Sequence, residues 1–138
     1  MIKYFVAGDF APETATDGSA GLDLFVNTLD QNRTLIGTGV HVEIPKGWVG
    51  LLLPRSSWGI KGLALANTVG VIDSDYRGEV KLVRDKHPHK GHLEMNKGDK
   101  VAQLVVVRCT TDAQQVDSLE QLSVTDRGDG GFGSTGGA

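Results

Sequence analysis

Two acidic side chains and an aromatic ring stand together in the segment Gly70-Val-Ile-Asp-Ser-Asp-Tyr-Arg-Gly-Glu79. Asp73 and Asp75 are two residues apart, so a strand would point them to the same face, whereas a turn would splay them. A carboxylate at the mouth of a pocket can act as a general base, and the ring of Tyr76 can pack against a ligand. The same Asp-x-Asp before a glycine is also typical of solvated turns.

A second candidate lies where an apolar run meets a proline, at Leu53-Pro-Arg-Ser-Ser-Trp-Gly59. Arg55, Ser56 and Ser57 provide a guanidinium and two hydroxyls that can hold phosphate oxygens. The same residues can form a capped turn that leads into a short helix. Both interpretations stay open at this point.

The third candidate is the segment of residues 126–138, which has six glycines and one large apolar residue, Phe132. Glycines allow backbone N–H groups to converge on a phosphate, and Arg127, Ser134 and Thr135 add donors. The segment lacks the lysine and the following helix of an ATPase phosphate loop. It buries little apolar surface, so on its own it is expected to be mobile. A plain frayed terminus would have no use for the arginine and the aromatic ring.

Three histidines lie within six positions in Lys86-His-Pro-His-Lys-Gly-His92, which is the composition of a metal site. A polar hairpin between Val83 and Leu93 explains the same residues. We favour the hairpin interpretation.

Strands must position these candidates, because helical periodicity is almost absent. Alternating and β-branched runs predict strands at 40–44, 48–53, 69–72, 80–83 and 101–107. Residues 116–122 fit a helical pattern for one or two turns. Gln103 lies within the last apolar run, where it either faces solvent or needs a polar partner. Strands separated by Gly and Pro breaks predict an all-β sandwich, jelly roll or barrel.

Length and charge limit the class of protein. The 138 residues suffice for one domain with its own core. There are 14 Lys plus Arg against 17 Asp plus Glu, without the basic excess of a nucleic-acid-binding protein. No apolar run approaches the ~20 residues that cross a bilayer, and the early acidic residue Asp9 is unlike a signal peptide. Cys109, the single cysteine, excludes an intramolecular disulfide. These features predict a cytoplasmic protein with neither a nucleic-acid nor a membrane partner.

Five separated segments resemble, in order and approximate spacing, the five motifs of the trimeric dUTP pyrophosphatases (dUTPases). They span nearly the whole chain and read Ala20-Gly-Leu-Asp-Leu24, Pro54-Arg-Ser-Ser57, Gly70-Val-Ile-Asp-Ser-Asp-Tyr-Arg-Gly78, Gly98-Asp-Lys-Val-Ala-Gln-Leu104 and Arg127-Gly-Asp-Gly-Gly-Phe-Gly-Ser-Thr-Gly136. One motif differs: the second usually reads Pro-Arg-Ser-Gly, and here Ser57 and Trp58 replace the usual Gly-Leu.

The resemblance implies an all-β, distorted jelly roll of the β-clip kind, assembled as a homotrimer with exchanged C-terminal arms. Residues 1–125 would form the catalytic body, and residues 126–138 the arm that closes over a site formed by the other two chains. It further implies Mg²⁺-assisted hydrolysis of dUTP to dUMP and pyrophosphate by water attack on the α-phosphorus. The reaction would take place in the cytoplasm, or in the host's if the protein is viral.

The resemblance also implies a role for each matching residue. Asp73 corresponds to the general base, Gln103 to a ligand of phosphate and water, and Tyr76 to the ring under the deoxyribose. Asp23 corresponds to a residue that contacts the metal through water. The remaining substrate ligands would be Arg55, Ser56, Ser57, Arg127, Gly133, Ser134 and Thr135 at the phosphates, Asn67, Val69, Gly70 and Val71 at the uracil edge, and Phe132 as a cover over the uracil.

Two other functions remain alternatives. dCTP deaminases share the fold and an Arg-Ser-Ser sequence, but they need a glutamate near the position of Val83. A regulatory binding module would resemble the phage-type dUTPases that carry extra inserts. Nothing here resembles a large insert, although the 86–92 loop could be a small contact surface.

Overall fold

Short antiparallel strands account for most of the regular structure in this computed structural model, which describes residues 1–86 and 93–136. The histidine-rich segment from His87 to His92, for which a hairpin is predicted, lies outside the described residues. The elements in chain order are β1 (Lys3–Val6), β2 (Leu22–Phe25), β3 (Thr28–Leu29), β4 (Leu35–Glu43), β5 (Trp48–Pro54), α1 (Ser56–Ile60), β6 (Gly70–Ile72), β7 (Glu79–Val83), β8 (Lys100–Arg108) and a 3₁₀ helix (Leu119–Gln121).

The strands form two four-stranded antiparallel sheets. One sheet has the order β1-β4-β3, with β7 paired along β4, and the other has the order β2-β8-β5-β6. Side chains from both sheets enter one core, in which Ile36 and Val80 of the first sheet join Leu52 and Leu104 of the second. The described chain is therefore an all-β sandwich, consistent with the predicted jelly roll.

All five predicted strands are present, as β4 to β8. The sequence patterns missed β1, β2 and β3, which are short and carry polar residues. Strand β2 shows why, because its Asp23 is only 8% exposed, so a buried charge interrupts the apolar run. The predicted helical turns at 116–122 are reduced to the 3₁₀ helix, whose capping box is made by Ser118 and Gln121.

The residues after Pro54 form α1, so the short-helix interpretation of this segment is correct. The predicted cap is absent, since Arg55 precedes the helix without a side-chain capping hydrogen bond. Trp58 is instead the buried residue of α1. Within the described ranges, neither helix has the length and apolar character to cross a membrane.

The sheet β2-β8-β5-β6 has an apolar surface on the side that faces away from the core. Antiparallel partners project from the same face, so Val107 stands beside Val49, and Leu51 stands between Val105 and Val71. Val71 is 58% exposed in the chain taken alone. The outer apolar face, as we name it, comprises Val49, Leu51, Leu53, Val71, Val105 and Val107. Val71 is exposed and the other five are half-buried, and a contiguous, partly exposed apolar surface of this kind is typical of an interface between proteins.

A bulge in β4 ties this strand to β7. Between the pairs Gly37–Lys81 and His41–Glu79, β4 takes four residue steps where β7 takes two. The N–H of Gly39, at φ +70, donates to the Glu79 carboxylate at 2.9 Å. The Thr38 hydroxyl donates to the carbonyl of Val80 at 2.6 Å. The bulge thus fixes the start of β7, directly after the segment that contains Asp73.

Replacing Gly39 by alanine should destabilise the fold more than the same change at Gly47. Both residues have positive φ, but a Cβ on Gly39 would lie 2.7 Å from the Gly8 Cα, whereas a Cβ on Gly47 meets no atom within 4 Å. We expect a loss of about 1 kcal/mol for Gly47→Ala and about 3 kcal/mol for Gly39→Ala, measured by urea unfolding. Equal losses would show that the close approach of the two backbones is not the cause.

Candidate active site

A small polar pocket of about 230 Å³ lies where β5 turns into α1. The side chains of Asp23, Arg55, Ser56 and Gln103 line it, and the loop before β2 closes it. We call it the Arg55 pocket. Three of the predicted phosphate ligands and the predicted metal-associated aspartate are therefore brought together, although they come from three separate segments of the sequence.

Strand pairing and one ion pair set the geometry of the Arg55 pocket. Gln103 of β8 lies directly between Asp23 of β2 and Leu53 of β5. The Nε of Arg55 lies 3.2 Å from the Asp23 carboxylate, and the backbone N–H of Arg55 donates to the Val101 carbonyl at 3.1 Å. The Gln103 amide makes no hydrogen bond with any described residue, so both of its polar atoms are available to a ligand.

The loop before β2 approaches the sheet closely, and a glycine makes this possible. A Cβ on Gly21 would lie 3.0 Å from the Leu104 carbonyl oxygen. The hydroxyls of Thr16 and Ser19 lie 3.0 Å apart and hold the loop in shape. Ala15 and Ser19 also line the pocket, and neither was predicted from the sequence. The pair of hydroxyl residues three positions apart, just before the first motif, was the available signal.

A second pocket, of about 200 Å³, is lined by residues around the third motif. We call it the Tyr76 pocket; its lining residues are Asn67, Gly70, Val71, Ile72, Asp73, Tyr76, Glu79 and Lys81. At its rim the Val69 N–H donates to the Asn67 carbonyl at 2.7 Å, across Thr68 at φ +66. A three-residue turn with positive φ at a β-branched residue is strained, and such strain is characteristic of binding sites.

The ring of Tyr76 is held by its own loop. Its hydroxyl donates to the Glu79 carbonyl at 2.9 Å, and its backbone N–H donates to the Asp73 carbonyl at 3.1 Å. A Cβ on Gly78 would overlap the Tyr76 hydroxyl, so a glycine is needed there. The Asp73 carboxylate is exposed and has no hydrogen bond or ion pair to a described residue. Its oxygens are therefore available to a ligand.

A larger cavity, of about 840 Å³, lies on the other side of Asp73. Its walls come from the 73–77 segment, the start of β5 and residues near Lys3 and Cys109. It contains none of the residues of the Arg55 pocket. This cavity is the larger, but most of the predicted ligands in the described body lie in the two smaller pockets. We therefore take the smaller pockets as the candidate active site.

The Arg55 and Tyr76 pockets belong to opposite parts of one sheet. Asp23 lies on edge strand β2, and Asp73 follows the other edge strand, β6. On β5, Gly50 pairs with Ile72 of β6, and Leu53 pairs with Gln103 of β8. The two pairs are three residues apart along β5. Standard strand dimensions place Asp73 and Gln103 about 10 Å apart across the sheet and about 13 Å apart along it. One chain therefore does not bring the two pockets together around a single small group.

The C-terminal segment stands apart from both pockets. The Cys109 N–H donates to the Gly47 carbonyl at 2.9 Å, and no residue from 110 to 136 makes a hydrogen bond or ion pair with the rest of the described chain. Phe132 is fully exposed at φ +52, and the Arg127 guanidinium donates to its neighbour Gly130. The structure does not bring the predicted ligands of this segment to either pocket: Arg127, Phe132, Gly133, Ser134 and Thr135.

Two other predicted ligands lie just outside the pockets. Ser57 is exposed on α1, next to Ser56, and does not line the Arg55 pocket. Val69 contributes the strained turn but does not line the Tyr76 pocket. The glutamate that a deaminase requires is also missing, since Val83 is a half-buried residue of β7 paired with Leu35.

Comparison with known proteins assigns the family. A family model described as dUTPase matches residues 10–136, which is most of the chain. The chain belongs to the dUTPase family. The resemblance of the five segments is thereby confirmed, and with it the predictions of an enzyme and of an all-β, jelly-roll-like fold.

The relatives are similar over most of their length. The deoxyuridine 5'-triphosphate nucleotidohydrolase of Corynebacterium jeikeium is 40% identical, over 91% of this chain and 84% of that protein. The protein of the same name from Nocardia farcinica is 43% identical, over 91% and 78%. The dUTPase of Staphylococcus bacteriophage 80alpha, solved with dUpNHpp, is 29% identical with a TM-score of 0.78 and covers 97% of each chain.

A mutant dUTPase from phage phi11 of S. aureus is also similar. It is 28% identical, with a TM-score of 0.69, over 87% of this chain and 99% of that one. That structure is described as showing the coordination of a structural Mg(II) ion.

The ion pair between Asp23 and Arg55 should be energetically coupled. It is shielded, with side-chain exposures of 11% and 33%. A double-mutant cycle with Asp23→Asn and Arg55→Gln, followed by urea unfolding, should give a coupling of about 1 kcal/mol. The exposed pair Lys3–Glu43 is the matched control, with an expected coupling near zero. Equal coupling in the two pairs would mean that Arg55 is not held in place before a ligand binds.

Proposed function

We propose that this dUTPase-family chain hydrolyses dUTP to dUMP and pyrophosphate, as a homotrimer whose sites are shared between chains. One observation carries the proposal. The groups suited to the nucleoside and those suited to the phosphates lie in two pockets toward opposite edges of one sheet. Asp73 of the Tyr76 pocket therefore lies far from a phosphorus held in the Arg55 pocket of the same chain, and we infer that it acts on a phosphorus held by another copy.

The Tyr76 pocket has the chemistry to select a deoxyuridine. The Asn67 amide and the backbone of Gly70 and Val71 offer donors and acceptors to the edge of a uracil ring. The tight turn at Thr68 leaves little space for the 5-methyl group of thymine. The Tyr76 ring, fixed by its hydroxyl bond to the Glu79 carbonyl, packs where a 2′-hydroxyl would project.

The Arg55 pocket is suited to the α- and β-phosphates. Arg55 and Ser56 donate hydrogen bonds, Gln103 can bind both a phosphate and the attacking water, and Ser57 adds a hydroxyl from the next position of α1. The chain has a net charge of −3, so it must bind a polyanion through a few concentrated donors rather than through a basic surface. The arm adds Arg127, Gly133, Ser134 and Thr135 at the β- and γ-phosphates, and Phe132 over the uracil.

Mg²⁺ fits this pocket as an ion that the substrate carries. One oxygen of Asp23 is paired with Arg55, and the described residues contain no cluster of three or more His, Cys, Asp or Glu able to cage a metal. Mg²⁺ keeps several waters and binds phosphate oxygens readily. Asp23 would hold the ion through a water molecule. When bound, the ion neutralises charge on the phosphates during cleavage.

Asp73 provides the base. Its unpartnered carboxylate takes a proton from the water that attacks the α-phosphorus. A bond forms between the water oxygen and phosphorus, the bond to the bridging oxygen of the β-phosphate breaks, and pyrophosphate leaves. The reaction removes dUTP, which limits uracil incorporation into DNA, and supplies dUMP for dTMP synthesis. It would occur in the cytoplasm, where these nucleotides are found, or in that of a host.

The outer apolar face supports the trimer. It is continuous with the Arg55 pocket, because Leu53 of this face lies beside Gln103. Copies that pack against one another on this face would bring a neighbour's Asp73 to the Arg55 pocket. The segment after Cys109 is free to extend to a third copy, since it makes no hydrogen bond to its own body within the described chain.

Asp73→Asn should abolish most turnover without loss of binding. We expect kcat to fall by roughly 10²–10⁴, the range for loss of a general base, and the Kd for dUpNHpp to change only a few-fold. Pyrophosphate release and calorimetric titration measure the two quantities. Asp75→Asn is the matched control, because Asp75 is exposed on the same loop but does not line the Tyr76 pocket. Activity of Asp73→Asn within tenfold of the parent would exclude this base.

Two inactive proteins should restore activity when they are refolded together. A chain that lacks residues 127–138 has Asp73 but no arm, and the Asp73→Asn chain has an arm but no base. A shared site takes its Asp73 from one chain and its arm from another. With equal amounts of the two proteins, each requirement is met in about half of the sites, so about a quarter of the sites are intact.

Native mass spectrometry of the same mixture is the control for exchange. If each arm instead folded back on the Asp73 of its own chain, every site would lack either the arm or the base, even in a mixed trimer. Mixed trimers that stay inactive would therefore contradict the shared site.

A further inference from the structure

Two residues depart from the family pattern in the second motif, Ser57 and Trp58, and Trp58 is the buried one. Trp58 is 6% exposed, and its side chain belongs to the core cluster. It directly follows Arg55, Ser56 and Ser57 on the five-residue helix α1. Trp58 therefore packs into the core under the turn that carries Arg55 and Ser56. No role in binding the phosphates was predicted for it.

Two hydrogen bonds fasten this turn to neighbouring carbonyls of β8. The indole Nε1 of Trp58 donates to the Lys100 carbonyl at 2.8 Å, and the Arg55 N–H donates to the Val101 carbonyl at 3.1 Å. The Trp58 N–H also donates to the Arg55 carbonyl at 2.9 Å, which closes the turn. Because β8 carries Gln103, these bonds fix the turn relative to another side chain of the same pocket.

Besides these bonds, the ion pair between Arg55 and Asp23 ties the turn to β2. The helix α1 is too short to be stable by itself, and no side chain caps its N-terminus. The Lys61 ammonium lies 4.4 Å from the centre of the Trp58 ring. The indole is thus the side chain that joins the turn to both the core and β8.

We propose that Trp58 is a positioning residue for the phosphate-binding turn, so that it sets the affinity for the phosphates and not for the nucleoside. The proposal rests on the proposed function, which places the phosphates at Arg55 and Ser56. Loss of the indole N–H would leave the Arg55 N–H as the remaining hydrogen bond from the turn to β8 and so loosen the turn. The Tyr76 pocket would be unchanged, since it shares no residue with the turn.

The test compares Trp58→Phe, which keeps an aromatic ring but lacks the donor, with the parent protein. We expect the Kd for dUpNHpp to rise about fivefold to tenfold, as for loss of one or two hydrogen bonds. The inhibition constant of 2′-deoxyuridine should change less than about twofold, because the nucleoside does not reach the turn. An unchanged Kd for dUpNHpp, or equal weakening of both ligands, would overturn the proposal.

Trp48→Phe is the matched control. Trp48 is half-buried at the opposite end of β5, beside Arg108, and its replacement should leave both constants unchanged. This variant also leaves Trp58 as the single tryptophan, which keeps the proposal testable if Trp58→Phe does not fold. Its fluorescence should then change with dUpNHpp and not with 2′-deoxyuridine, and no change with dUpNHpp would overturn the proposal. A parent protein that neither binds dUpNHpp nor hydrolyses dUTP would instead refute the proposed function.

Discussion

The register of the sheet β2-β8-β5-β6 is the constraint on which the rest of the structure depends. It sets Gln103 beside Asp23, and it carries Asp73 away on the opposite edge strand. Under the proposed function, Asp73 must reach the water that attacks a phosphorus held in the Arg55 pocket. Because strand dimensions separate Asp73 from Gln103 within one chain, the register of this sheet supports the proposed trimer.

The sequence allowed most of this architecture to be predicted, for physical reasons. β-Branched runs and Gly or Pro breaks are local signals, and they located β4 to β8 correctly. Strand β2 was missed because Asp23 is buried through its pair with Arg55, 32 positions later, which no local pattern reveals. Arg55, Ser56 and Gln103 were singled out from local patterns and from the family motifs, whereas Ser19 enters that pocket by the fold of a loop.

The division into two pockets could not be predicted from the residues alone. The motifs follow one another along the chain, which says nothing about the edge on which each one falls. The order β2-β8-β5-β6 results from long-range pairing, in which residue 23 meets residue 103. Local rules do not determine such pairing. They do account for the glycine at 78, where a Cβ would overlap the Tyr76 hydroxyl, but they disfavour the positive φ of Thr68 at the rim of the Tyr76 pocket.

The weak attachment of the arm has a consequence for turnover under the proposed function. Ordering a glycine-rich segment costs conformational entropy, so the arm closes when its contacts with substrate exceed that cost. Arg127, Ser134 and Thr135 would contact the β- and γ-phosphates, which leave as pyrophosphate. Cleavage therefore removes the groups that hold the arm closed, and dUMP remains bound through the Tyr76 pocket and the α-phosphate. An arm tied to its own body by hydrogen bonds would close without substrate and would lose this coupling between cleavage and release.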